Sequence, residues 1–138
     1  MWLIFDGGFV SVVSKPGEEG LCVRARRAGD LKAMRVFCPE LSPVSVSSET
    51  DYPVRAWVPR EALARAVARV AMSIDYGNFK ARVASRQGEA RAAIYGDVWA
   101  ALRRLEAEER TQGNPRRRAV PRKRRPGGSR GAGEGESG

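Results

Sequence analysis

Asp51-Tyr52-Pro53-Val54-Arg55-Ala56-Trp57-Val58-Pro59 is the stretch from which the rest of the chain can be read. Val54, Ala56 and Val58 alternate with Arg55 and Trp57, and a period of two belongs to a strand with one face in a core and the other turned away. Pro59 has no N–H to give to a ladder. Its fixed φ suits the first turn of a helix instead. The segment therefore predicts a loop, a strand and a helix start, with Val54, Ala56 and Val58 in the core and Arg55 and Trp57 on the opposite face.

Downstream the period changes. Leu63, Val67, Val70, Ala71 and Ile74 recur at helical spacing, while Arg60, Arg65 and Arg69 lie elsewhere around the helix. Asp75-Tyr76-Gly77-Asn78 interrupts it, and Phe79 with Val83 opens a short helical segment that ends near Gln87-Gly88. In the last helix Ile94, Val98, Leu102 and Leu105 form one stripe flanked by Tyr95 and Trp99.

Upstream, Trp2–Phe5 and Phe9–Ser14 are aromatic and β-branched, and Asp6-Gly7-Gly8 between them is a turn sequence able to supply positive φ, which predicts a hairpin. Leu21–Arg26 alternates again, with Leu21, Val23 and Ala25 against Cys22, Arg24 and Arg26. Asp30 is the predicted N-cap of a short helix carrying Leu31, Met34, Phe37 and Cys38, which Pro39 and Pro43 confine. Val44–Ser47 supplies a fourth strand that returns through a turn into the Val54 strand. The element order predicts an α+β fold: an antiparallel sheet of four to five strands with helices on one face, ferredoxin-like by preference, plus C-terminal helices. A more open sheet with the final helices as a small cap is the alternative topology.

The chain has 138 residues and a net charge of +9. Residues 1–110 hold 17 Lys+Arg against 14 Asp+Glu, and residues 111–138 hold 8 against 2, so most of the excess sits at the end. That end is Pro, Arg, Gly and Ser with almost no large apolar residue, and it is expected to be a disordered tail following a 1–110 globular domain. Cys22 and Cys38 form no CxxC pattern. Two separate thiols are the simpler reading and one disulfide the other. The opening apolar run is too short for a membrane span or signal segment, so a cytoplasmic protein without membrane contact is expected.

Five runs occur together in this order: Gly8-Phe9-Val10-Ser11-Val12-Val13, Val23-Arg24-Ala25-Arg26, Asp51-Tyr52-Pro53-Val54-Arg55, Ile74-Asp75-Tyr76-Gly77-Asn78-Phe79-Lys80, and Tyr95 with Val98-Trp99. In this the chain resembles a group of small uncharacterised bacterial proteins over roughly residues 1–105. The resemblance implies a shared fold and a bacterial or phage-borne setting, and it carries no known activity. Val10 stands where a second aromatic is expected, and the arginine-rich tail lies outside the resemblance.

Catalytic chemistry finds no footing in the sequence. With no histidine, the usual general base, Ser-His-Asp and Cys-His arrangements and most zinc sites are absent. Asp6, Asp30, Asp51 and Asp75 are scattered through predicted turns, each with a capping or turn role available, and neither a Walker loop nor GxGxxG occurs. A non-enzymatic protein with no cofactor or metal is expected.

Two features point to binding instead. Arg24, Arg26, Arg55 and Trp57 are predicted on one sheet face, a basic surface with an aromatic platform able to hold phosphates and stack a base. The alternative is that the arginines are solvated and Trp57 is covered by the C-terminal helices. In the tail, Arg116, Arg117, Arg118, Arg122, Lys123, Arg124 and Arg125 put seven cations within twelve positions, enough for salt-sensitive attachment to RNA or DNA; a solubilising extension is the other reading. Asp75–Lys80 is either a pocket lining or a structural helix junction. The expected partner is therefore RNA, DNA or a ribonucleoprotein, with an acidic protein partner second. The rival function is a protein-interaction module that regulates or inhibits a bacterial host enzyme. Partner identity and oligomeric state are not encoded in any motif.

Overall fold

The computed structural model describes residues 1–111. In chain order the elements are β1 (Trp2–Phe5), β2 (Gly8–Val13), β3 (Leu21–Ala25), α1 (Ala28–Phe37), β4 (Ser45–Val46), β5 (Val54–Val58), α2 (Arg60–Met72), α3 (Phe79–Gln87), α4 (Glu89–Leu102) and α5 (Arg104–Thr111). One five-stranded sheet has the order β1-β2-β3-β5-β4, antiparallel at every step. This is the predicted α+β class. The ferredoxin-like arrangement is compatible with the sheet and its helical cover and is not established by this strand order. The seven tail cations from Arg116 to Arg125 lie outside the described residues. The chain divides after Ala101, and the second unit contains α5.

The alternation in β3 and β5 does what its period requires. Val23, Ala25, Val54, Ala56 and Val58 enter one core with Val10 and Val12, and α1 and α2 close that core with Leu31, Met34, Cys38, Leu63 and Ala66. The α2 face is centred slightly earlier than the predicted stripe. Ala62 and Ala66 are buried because small side chains let the helix approach the sheet, whereas Ala71 and Ile74 are exposed at and beyond its end.

Three local expectations are corrected. Helix α1 begins at Ala28, and its N-cap is Arg27 without a side-chain cap bond. Asp30 instead lies in the first turn, where an acid suits the helix dipole, and its buried carboxylate is bound by Arg91. In the β1–β2 turn neither Gly7 nor Gly8 takes positive φ. These glycines serve close approach: a Cβ on Gly8 would lie 3.0 Å from Asp30, and one on Gly7 2.6 Å from the Phe5 ring. In α4 the buried side chains are Ala92 and Tyr95, while Ile94 and Leu102 of the predicted stripe are exposed.

Asn78 caps α3 as a junction residue should, its side-chain oxygen accepting from Ala81 N at 2.9 Å. Tyr76 and Phe79 pack with ring centroids 6.2 Å apart. Cys22 and Cys38 are free and buried. Cys22 pairs across the ladder with Trp57, whereas Cys38 belongs to the core on the other face, so the sheet separates them. The Lys15–Gly20 connection turns through Gly17 (φ 76°) and Gly20 (φ 82°). At Gly20 a Cβ would sit 2.5 Å from the Val58 carbonyl oxygen; one at Gly17 would have nothing within 4 Å. Among the described residues no helix is long and apolar enough to cross a membrane.

Candidate functional site

The sheet face opposite α1 and α2 has two unlike ends. Ser11, Arg24 and Arg55 lie in register across β2, β3 and β5, which puts two guanidinium-bearing side chains directly opposite each other. Like charges so placed repel by a few tenths of a kcal/mol to about 1 kcal/mol. Tyr52 lies beside them, only 5% exposed. The Arg24 guanidinium carbon stands 4.6 Å and that of Arg26 4.9 Å from its ring centroid, within cation–π range.

Among the described residues these three arginines donate to neutral acceptors. Arg24 Nη2 donates to Ser11 Oγ at 2.9 Å, Arg26 Nη1 to the Asp51 carbonyl at 3.0 Å, and Arg55 Nε to the Tyr52 carbonyl at 3.3 Å. Among the described residues, no carboxylate forms an ion pair with any of the three. Arg24 Nε is buried without a hydrogen-bond partner.

Trp57 shares this face but is not a free platform. Its indole N–H donates to Glu18 Oε2 at 2.5 Å, and Lys15 Nζ lies 5.9 Å from the ring centroid. The half-buried ring is therefore shielded by the loop between β2 and β3. Sequence reasoning brought Arg24, Arg26, Arg55 and Trp57 to one side and missed Tyr52, which organises two of them. The available signal was an aromatic immediately before Pro53, since Pro holds its predecessor extended and so fixes where that ring leaves the chain.

At the other end α3 and α4 pack over Ile4 and Phe9, which pair across β1 and β2, with Val83, Ala92 and Tyr95 buried beneath. Two buried acids tie them down. Asp6 Oδ2 accepts from Arg82 Nε at 3.0 Å and Arg86 Nη1 at 2.7 Å, and its backbone carbonyl accepts from Gln87 at 2.6 Å. Burial pushes the Asp6 carboxyl up, but the hydrogen bonds and charges of Arg86 and Arg82 together outweigh it and hold the group below its ordinary value. Asp30, 2% exposed, is bound by Arg91, whose guanidinium also lies 5.5 Å from the Tyr95 ring centroid. Burial pushes the Tyr95 phenol up.

Between the two ends is a cavity of about 370 Å³ lined by Trp2 and Phe9 of the sheet, by Tyr52 of the loop before β5, by Arg26, Arg27 and Asp30, and by Arg91, Ile94 and Tyr95 of α4. Two of its residues carry buried polar atoms without a hydrogen-bond partner, Asp30 Oδ2 and the Tyr95 hydroxyl. Each such atom costs about 1–3 kcal/mol. Asn78, Phe79 and Lys80 of the helix junction line a separate, broader depression of about 740 Å³ with Tyr95, Gly96 and Trp99. Asp75, from the same junction, pairs with Arg82 at 3.0 Å.

Comparison with protein families, with curated proteins and with solved structures returned no match for this chain.

Proposed function

We propose that the protein is a non-enzymatic nucleic-acid-binding protein that takes single-stranded RNA or DNA, alone or within a ribonucleoprotein, on the Arg24/Arg26/Arg55 face. One observation carries this reading: three guanidinium groups share one sheet face, hydrogen-bonded only to neutral acceptors and without a paired carboxylate among the described residues. A phosphate between Arg24 and Arg55 relieves their repulsion and receives charge-assisted hydrogen bonds. An open sheet face suits a single strand better than a duplex, because bases that are not paired can lie against side chains. The basic residues from Arg116 to Arg125 would add sequence-independent attraction. Trp57 adds stacking only if Lys15 moves off its ring. The resemblance to small bacterial proteins brings no activity with it, so the reading rests on these residues.

Mobility shifts with single- and double-stranded RNA and DNA test it, comparing the full chain, a chain ending at Arg110 and an Arg24→Gln/Arg26→Gln/Arg55→Gln variant. The expected order of affinity for single strands is full chain, then each altered form. Failure of the full chain to bind any of the four probes at low salt overturns the proposal. The second reading, a protein-interaction module, is favoured by exposed Val44 and Val46 at the β4 edge. A protein partner retained after nuclease treatment would support it.

A further inference from the structure

We propose that the cavity between α4 and the sheet is a nucleotide site, taking a base against Trp2, Phe9 and Tyr52 and its phosphate on Arg26 and Arg27. This rests on the nucleic-acid reading and specifies where one unstacked nucleotide of the strand would go.

The walls suit a flat ring. Trp2 is 67% exposed and meets Phe9 edge-on at 5.5 Å, Phe9 lies 6.3 Å from Tyr52, and Ile94 opposite them is 57% exposed. At about 370 Å³ the space falls within the roughly 300–1,000 Å³ of small-molecule sites. Aromatic and aliphatic groups around an extruded base are the usual means of holding one.

The polar groups narrow the ligand further. Asp30 has one oxygen on Arg91 and the other buried without a partner, and the Tyr95 hydroxyl is also buried and unpartnered. A carboxylate oxygen accepts only, whereas a phenol can donate. Their complement is a ring edge with a donor beside an acceptor, which the pairing edge of every nucleobase offers. A hydrocarbon ligand leaves both atoms unmatched, and a bare inorganic anion leaves the aromatic wall unmatched. Arg26 and Arg27 are exposed and, among the described residues, in no ion pair with a carboxylate. Tyr52 and Arg26 belong to both the cavity and the arginine face, so a strand running over Arg24 and Arg55 arrives at the cavity without a gap.

The test is tryptophan-fluorescence titration of the full chain with 5′-mononucleotides, the corresponding nucleosides and ribose 5-phosphate. Saturable binding of mononucleotides is expected, with nucleosides at least tenfold weaker and ribose 5-phosphate weaker still. Tyr95→Phe keeps the ring and removes the orphaned hydroxyl, so it should lower mononucleotide affinity several-fold with the melting temperature unchanged or raised; a purely structural hydroxyl would leave affinity alone. Equal binding of ribose 5-phosphate and mononucleotides, or unchanged affinity in Tyr95→Phe, overturns the proposal. Oligonucleotide shifts that persist while no mononucleotide binds overturn the cavity and leave the arginine face standing. Mononucleotide binding without any oligonucleotide shift does the reverse.

Discussion

At one end of the outer sheet face, arginines meet buried carboxylates; at the other, arginines meet a tyrosine ring and carbonyl oxygens. Arg82 and Arg86 converge on Asp6, and Arg91 on Asp30, and these pairs fasten α3 and α4 to the β1–β2 hairpin and to α1. Arg24, Arg26 and Arg55 donate instead to a hydroxyl and to carbonyl oxygens, with no paired carboxylate among the described residues. The same residue type thus fastens helices where its partner is an acid and presents charge where its partner is neutral. Counting arginines by sequence does not separate these uses; asking what each guanidinium donates to does.

The sharpest way to break the fastened end is Asp6→Ala. Removing one partner of a fully buried ion pair costs about 3–5 kcal/mol. Arg82 and Arg86 retain some solvent, so a loss of about 2–3 kcal/mol is expected in urea unfolding, with α3 and α4 loosened first. Next in size is Gly20→Ala, at the border of the arginine end. Positive φ together with a 2.5 Å approach to the Val58 carbonyl should cost about 1–3 kcal/mol, read as a lowered midpoint in thermal melting.

Acid titration separates the two ends with a smaller effect. The folded Asp6 carboxyl titrates below its ordinary value of 3.8, so its stabilisation is present in full above the unfolded value and is lost as pH falls through the folded one. Stability measured from pH 6 downward should therefore decline near and below pH 4, and Asp6→Asn should flatten that limb. An unchanged limb would mean that the fastening is not electrostatic. The smallest stability change is expected for Arg55→Gln, within about 0.5 kcal/mol, because it removes a like-charge neighbour along with a surface contact. Its effect appears in binding: the dependence of log affinity on log salt should fall by about 0.7 if Arg55 holds one phosphate of a single strand.

The strands were legible because a period of two survives any packing partner: β3 and β5 read correctly from Val23, Ala25, Val54, Ala56 and Val58 alone. Asp30 was misread because capping is a local rule, and its carboxylate instead met Arg91, 61 positions away, in a buried pair. The stripe in α4 was misread for a related reason. Ile94 and Leu102 fit the apolar spacing, but Ala92 and Tyr95 are the α4 residues that pack with Ile4 and Phe9 of the hairpin, and Ile94 and Leu102 stay exposed. At the candidate site, alternation sufficed to group Arg24, Arg55 and Trp57. Tyr52, which lies near two guanidiniums, was signalled only by the aromatic before Pro53, and the Glu18 and Lys15 shield over Trp57 follows from a loop whose path no spacing rule encodes.

That shield has a practical side. In the connection from Lys15 to Gly20, a Cβ at Gly20 would meet the Val58 carbonyl, whereas a Cβ at Gly17 would have nothing within 4 Å. A spectroscopic label or short insertion at the Gly17 tip, made with a residue that tolerates its positive φ, would ride one loop away from the Trp57 indole without disturbing the ladder that holds the arginines. The loop thus offers a built-in place to report whether Lys15 and Glu18 lift when RNA or DNA probes are added.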